Sequence, residues 1–255
     1  MSGRQALIAA NWKMYKTRAE ALAFVVALQG ETGAAEGREV VIAPPFTALE
    51  AIAQALTNRS VFRLAAQNCH FEDKGAFTGE VSPVMLKDLT CDYVIIGHSE
   101  RRHIFGETDE MVRRKVEAVL RAGMLPMVCV GEVLDQRERG ETFQIVEAQL
   151  RKALEGVHAE HASAVVIAYE PVWAIGTGLT ATPAQAQEVH AFIRELTASL
   201  FNQEVANNLR VVYGGSVKPE NVDALMTEAD IDGMLVGGAS LEVNSFKRIV
   251  LYRSL

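Results

Sequence analysis

Ala164-Val-Val-Ile-Ala-Tyr169, Thr182-Pro183 and Leu209-Arg-Val-Val-Tyr213 read together as strand, crossover helix and strand. The two outer runs are close to continuously apolar, the pattern of strands covered on both faces in a parallel sheet. Thr182 is a helix-capping residue type, and Pro183 suits a first helical turn, where no amide hydrogen is needed. Val189, Phe192, Ile193 and Leu196 then recur at helical spacing. The gap is too long for a hairpin and fits a crossover helix.

The same unit repeats outward in both directions. Ala6–Ala10, Glu39–Ala43, Phe62–Ala66, Tyr93–Ile96, Met124–Val130 and Asp232–Val236 are further short apolar runs, and with the first two they make eight. Thr17-Arg-Ala-Glu20 is a capping box ahead of Leu22, Val25, Val26 and Leu28, which are expected to form a core-facing stripe. Thr108 opens a helix through Val112, Val116, Val119 and Leu120, and Gly123 suits its end. Strict alternation predicts an α/β fold, a closed (β/α)8 TIM barrel of eight parallel strands with outer helices. A doubly wound open sheet is the competing architecture. With no composition break, linker or low-complexity stretch, one barrel domain is expected over 1–255.

Composition narrows the function classes. The chain has 255 residues, close to the ~250 of one such barrel. At 49% hydrophobic and 22% charged it is neither disordered nor fibrous. The net charge of −7, with no Lys/Arg-rich block, argues against nucleic acid or an anionic membrane as partner. Cys69, Cys91 and Cys129 form no C-x-x-C pair, and an odd count suits a reducing compartment. No apolar stretch reaches the ~18 residues of a membrane span, and the N-terminus lacks a secretory cleavage pattern. A cytoplasmic location is expected.

In a barrel, function collects just past the C-terminal strand ends. Those positions hold Asn11-Trp12-Lys13, Gly97-His98-Ser99-Glu100, Glu170, Gly214-Gly215-Ser216 and Gly237-Gly238. A glutamate after a strand is commonly solvated. Glu170, however, is followed by Pro171-Val-Trp-Ala-Ile-Gly-Thr-Gly178, whose apolar middle, Val172 to Ile175, would be costly in water unless it closed over something. Rigid proline at one end and glycines at the other give the pattern of a lid that excludes water. An apolar loop packed on the barrel is the plainer reading. The glycine pairs after strands 7 and 8 suit a phosphate, since backbone amides can approach an anion there. Val217–Asn221 and Ala239–Leu241 read as a helix or turn opening behind them; each alone is equally a tight turn. Neither a P-loop nor G-x-G-x-x-G is present. The histidines lack H-x-x-x-H spacing, so no metal site is expected; His98 is left as a titrating, ligating or packing residue. Lys13 at the mouth could hold an anion, although most lysines are simply solvated.

Asn11-Trp-Lys13, Gly97-His-Ser-Glu-Arg-Arg102, Ala168–Gly178, Tyr213-Gly-Gly-Ser216 and Val236-Gly-Gly-Ala239, in this order from end to end, resemble the triosephosphate isomerase family. The resemblance implies interconversion of dihydroxyacetone phosphate and D-glyceraldehyde 3-phosphate with no cofactor. It implies that Glu170 moves a proton between two carbons, that His98 is a neutral electrophile, and that Lys13 supplies fixed charge with Asn11 as a nearby donor. These pKa roles are those known for the family itself. Gly176, Ser216, Gly237 and Gly238 would bind phosphate alongside Asn11 and Lys13, and Glu100 would stand near Lys13. Family members are usually dimers joined by the third βα loop, here 67–82, with Thr78 reaching toward the partner's site. Leu179 departs from a common lysine at the trailing lid hinge, and Met14 occupies a variable interface position. The competing functions are another phosphate-binding barrel enzyme, such as a sugar-phosphate epimerase or aldolase, and a non-catalytic barrel binding protein.

Overall fold

The computed structural model describes residues 3–32, 35, 37–176 and 178–253. Eight parallel strands close a barrel in chain order: β1 Ala6–Asn11, β2 Arg38–Ala43, β3 Phe62–Ala66, β4 Tyr93–Ile96, β5 Leu125–Val130, β6 Val166–Tyr169, β7 Arg210–Tyr213 and β8 Gly233–Val236. Pairing of Leu7 with Gly233 through Ala10 with Val236 shuts the ring. Closure removes both edges and excludes the open sheet.

Side chains on a strand alternate between faces, so each strand feeds two cores. Leu7, Ala9, Val41, Ala43, Ala65, Ile95, Met127, Cys129, Val166, Ala168, Val212 and Leu235 fill the barrel interior. Their neighbours, such as Ile8, Val40, Ile42, Val94 and Ile167, pack outward with the helices. Both faces are buried, which is why the runs read as continuous. The alternation also aims the site. Asn11 continues the inward series Leu7, Ala9; Glu170 continues Val166, Ala168; Gly214 follows Val212 and Gly237 follows Leu235.

The caps form as the sequence predicts. Thr17 and Glu20 exchange bonds ahead of helix Arg18–Glu31, and Thr182 and Gln185 do so ahead of helix Pro183–Leu200. Thr108 caps helix Asp109–Arg121, and Gly123 follows it at φ +68°. One expectation changes. Val26 is 64% exposed, because helix Arg18–Glu31 buries Ala21, Phe24, Val25 and Leu28 and turns Val26 away from that stripe. Behind β7, of the two forms expected at 217–221, helix or turn, the chain takes the turn, and the helix begins at Val222.

Candidate active site

Glu170 is 2% exposed at the inward-facing end of β6. Its Oε1 lies 3.0 Å from His98 Nε2, and its Oε2 accepts from the Ser99 amide at 2.9 Å. Two glycines make the space. A Cβ on Gly131 would sit 1.8 Å from the Glu170 carbonyl oxygen, and one on Gly214 would sit 2.9 Å from Glu170 Cγ.

His98 reaches the cleft by a backbone device. Strand parity would point it outward, but Gly97 at φ +69° breaks the alternation and turns the next residue in. His98 Nδ1 accepts the Glu100 amide at 3.2 Å. With Nδ1 an acceptor, a neutral ring carries its proton on Nε2, toward Glu170. Burial works against a charged imidazole, while the Glu170 carboxylate and then Glu100 favour one; the His98 pKa lies above its ordinary value. For Glu170, burial works against the anion, but His98, the Ser99 amide and Lys13 outweigh it and lower the pKa. In this arrangement the carboxylate is stabilised and is a weak base.

Lys13 sits in the left-handed region at φ +51°, a conformation that costs a non-glycine residue about 1 kcal/mol or more and marks functional sites. Asn11 Oδ1 accepts its amide at 3.0 Å, and Gln67 Nε2 donates to its carbonyl at 2.9 Å. Lys13 Nζ pairs with Glu100 Oε1 at 2.7 Å. A cleft of about 320 Å³ brings Asn11, Lys13, His98 and Glu170 together with Gly176, Ser216, Gly237 and Gly238. Glu100 stands one step back, in an adjoining 170 Å³ hollow that also touches Lys13 and His98.

The lid differs from its expected form. Val172–Ala174 is a single 3-10 turn, Ala174 is buried and Trp173 is half-buried, so the apolar middle packs down rather than standing in water. Its seat is Glu132, fully buried, which accepts from Trp173 Nε1 at 2.9 Å and from Tyr169 Oη at 3.1 Å. The Glu132 carbonyl accepts the Val172 amide at 3.1 Å. Gly176 and Gly178 have φ of +72° and +85°, a region that favours glycine; Thr177 lies outside the described residues. Gly131 and Glu132 were legible by the strand-end rule, which applied to β5 selects them. Gln67 directly follows β3 and Ser99 lies in the Gly97–Glu100 run after β4, so the same rule reaches both; their roles, through a carbonyl contact and a backbone amide, carry no side-chain signal.

No helix among the described residues is long and apolar enough to cross a membrane, and no group of three metal-ligating side chains occurs among them. Fold and cleft together define a (β/α)8-barrel enzyme with a carboxylate–imidazole pair at the strand ends. The family model described as triosephosphate isomerase matches residues 6–253. Curated proteins named triosephosphate isomerase from Carboxydothermus hydrogenoformans and Chloroflexus aurantiacus are each 56% identical over 247 residues, covering 97% of this chain and 98% of theirs. The one from Syntrophotalea carbinolica is 52% identical over 252 residues, 99% of this chain and 100% of its own. The chain belongs to the triosephosphate isomerase family.

Proposed function

We propose that Glu170, His98 and Lys13 carry out the family's reaction on one barrel unit formed by the whole chain. The reaction interconverts dihydroxyacetone phosphate and D-glyceraldehyde 3-phosphate through an enediolate. Glu170 takes the carbon-bound proton next to the carbonyl and returns it to the neighbouring carbon. His98 donates from Nε2 to the carbonyl oxygen and exchanges protons between the two oxygens. Lys13 holds positive charge beside the developing enediolate, with Asn11 as its positioning partner. The observation that carries this reading is the 3.0 Å contact between a buried carboxylate and an imidazole whose Nδ1 is occupied by an amide. The proton leaves and returns, so the chemistry balances without an electron acceptor.

A carboxylate of ordinary pKa, ~4.3, is a feeble base toward a C–H bond. The contacts to His98 and Ser99 weaken Glu170 further. Substrate entry and lid closure pull it off both partners into a drier space, and loss of those stabilising bonds raises its basicity. Gly176, Ser216, Gly237 and Gly238 hold the phosphate, away from the reacting carbons. Its binding energy then drives the closure.

The protein works as a cytoplasmic homodimer in this reading. Met14, at 95% exposure, lines one hollow with Phe46, Phe105 and the loop residues Gln67 and Asn68, and Phe77, Met85 and Ile104 are also exposed. His70 stacks against Phe71 and Phe77 at 4.2 Å each, which stiffens the loop. The 170 Å³ hollow beside Lys13 suits the exposed Thr78 end of a second copy's loop. Sedimentation as a monomer at micromolar concentration contradicts this. The reaction is tested by a coupled assay with D-glyceraldehyde 3-phosphate, before and after chelator. Formation of dihydroxyacetone phosphate in both is expected, and no conversion overturns the reading. Covalent trapping by borohydride would instead indicate aldolase chemistry.

A further inference from the structure

We propose that Lys218 is a capture cation, drawing the doubly charged phosphate of the substrate into the cleft against the negative charge of the chain; this rests on reading the cleft as a triose-phosphate site. The chain carries a net −7, which repels a dianion at long range unless the site has its own positive field. The charged side chains lining the cleft are Lys13, Glu170 and Lys218. Lys13 is paired with Glu100 at 2.7 Å; those two with Glu170 leave the reacting end net negative when His98 is neutral and uncharged overall when it is protonated, so in neither state does that end attract a dianion at long range.

The backbone supplies little to offset this beyond individual amides. The helix behind β7 is Val222–Met226, and the segment behind β8 is the single 3-10 turn Gly238–Ser240. Dipoles that short contribute little at a distance. Lys218 differs from Lys13. Its side chain is exposed on the wall of the cleft, and no ion pair to it occurs among the described residues.

Its position is built rather than loose. The Lys218 amide donates to Asn221 Oδ1 at 2.8 Å, and Asn221 Nδ2 donates to the Ser216 carbonyl at 2.9 Å. One side chain thus closes the 216–221 turn, fixing Lys218 relative to the phosphate-facing Ser216. An exposed charge at a rim acts on encounter more than on affinity, and salt screens it.

The test compares wild type with Lys218→Met and Lys218→Arg. At ionic strength near ~10 mM, kcat/KM of the Met variant should fall about 3- to 10-fold, narrowing to under about twofold at ~0.5 M. The loss in kcat should be smaller than in kcat/KM, and Arg should restore both. Inorganic sulfate, titrated calorimetrically, reads capture without turnover and should bind more weakly to the Met variant at low salt. Unchanged kcat/KM and sulfate binding, or an equal loss at both salts, overturns the proposal. A wild type that does not turn over, with sulfate binding still weakened in the Met variant, overturns the reaction and supports Lys218 as an anion-capturing residue.

Discussion

At the floor of the barrel, the Glu39 carboxylate accepts from Tyr93 Oη at 2.7 Å, from Arg63 Nε at 3.0 Å and from Arg210. At the mouth, Glu170 accepts from the imidazole of His98 and the Ser99 amide, and no guanidinium or ammonium bonds to it among the described residues. Both carboxylates are buried and both face inward by the same strand alternation. The difference lies in their partners. Two guanidinium groups and a phenol saturate Glu39, and Arg210 also donates to Tyr93 Oη at 2.7 Å, closing a ring of charge-assisted bonds. Such a network fixes the strands and leaves no bond free for chemistry. Glu170 is held only by an imidazole and an amide among these contacts, which in the proposed reaction the substrate exchanges, releasing it as a base. One barrel thus separates a stabilising end from a reacting end.

The largest expected effect is at the mouth. Glu170→Gln keeps the shape of the side chain but removes the proton acceptor, and kcat should fall by about 10³–10⁴ with the melting temperature retained. Steady-state kinetics alongside thermal unfolding reads both. Unfolding of this variant in step with its activity would erase the separation between the two ends. The reverse case is Arg210→Leu, which leaves the Glu39 carboxylate short of a partner. Arg63 still pairs with Glu39, so the loss is that of the charge-assisted bonds to Arg210, about 1.5–3 kcal/mol; denaturant unfolding should show that loss, while kcat per folded molecule holds within about twofold.

The third effect, on pH dependence, probes a buried group that belongs to neither end. His190 lies within helix Pro183–Leu200, against the Tyr169 and Tyr213 rings, with Nδ1 3.2 Å from the Asp230 carbonyl and Arg194 nearby. Burial drives its pKa down from 6.5 to about 4. In the unfolded chain the ring takes a proton below its ordinary value, whereas in the folded protein it resists until about pH 4. Its contribution to stability is complete above that ordinary value and is lost as pH falls through this window, up to about 3 kcal/mol in all. Denaturant unfolding of wild type and His190→Gln across that window should show a shallower pH dependence in the variant. Equal slopes would remove His190 as the source.

The eight strands were legible because burial on both faces leaves continuous apolar runs, and the helices because their caps are local. Asn11, Glu170 and the glycines after β7 and β8 were legible because strand ends collect in one place. The floor network was not. Glu39, Tyr93 and Arg210 are separated by 54 to 171 positions, and only the closed register brings them together. His98 could be named but not aimed, since its direction depends on the positive φ of Gly97. Val26 was misplaced because helical spacing alone does not choose between adjacent stripes.

The central claim, that Glu170 carries a proton between two carbons through an enediolate, is tested most directly in heavy water. Dihydroxyacetone phosphate is incubated with the enzyme in D2O, and the D-glyceraldehyde 3-phosphate formed is drawn off and examined by NMR. A carboxylic acid that exchanges with solvent during the enediolate's lifetime places deuterium on C2 of the product, and Glu170→Gln should lose that labelling together with turnover. Labelling or turnover at an undiminished rate in Glu170→Gln contradicts the account.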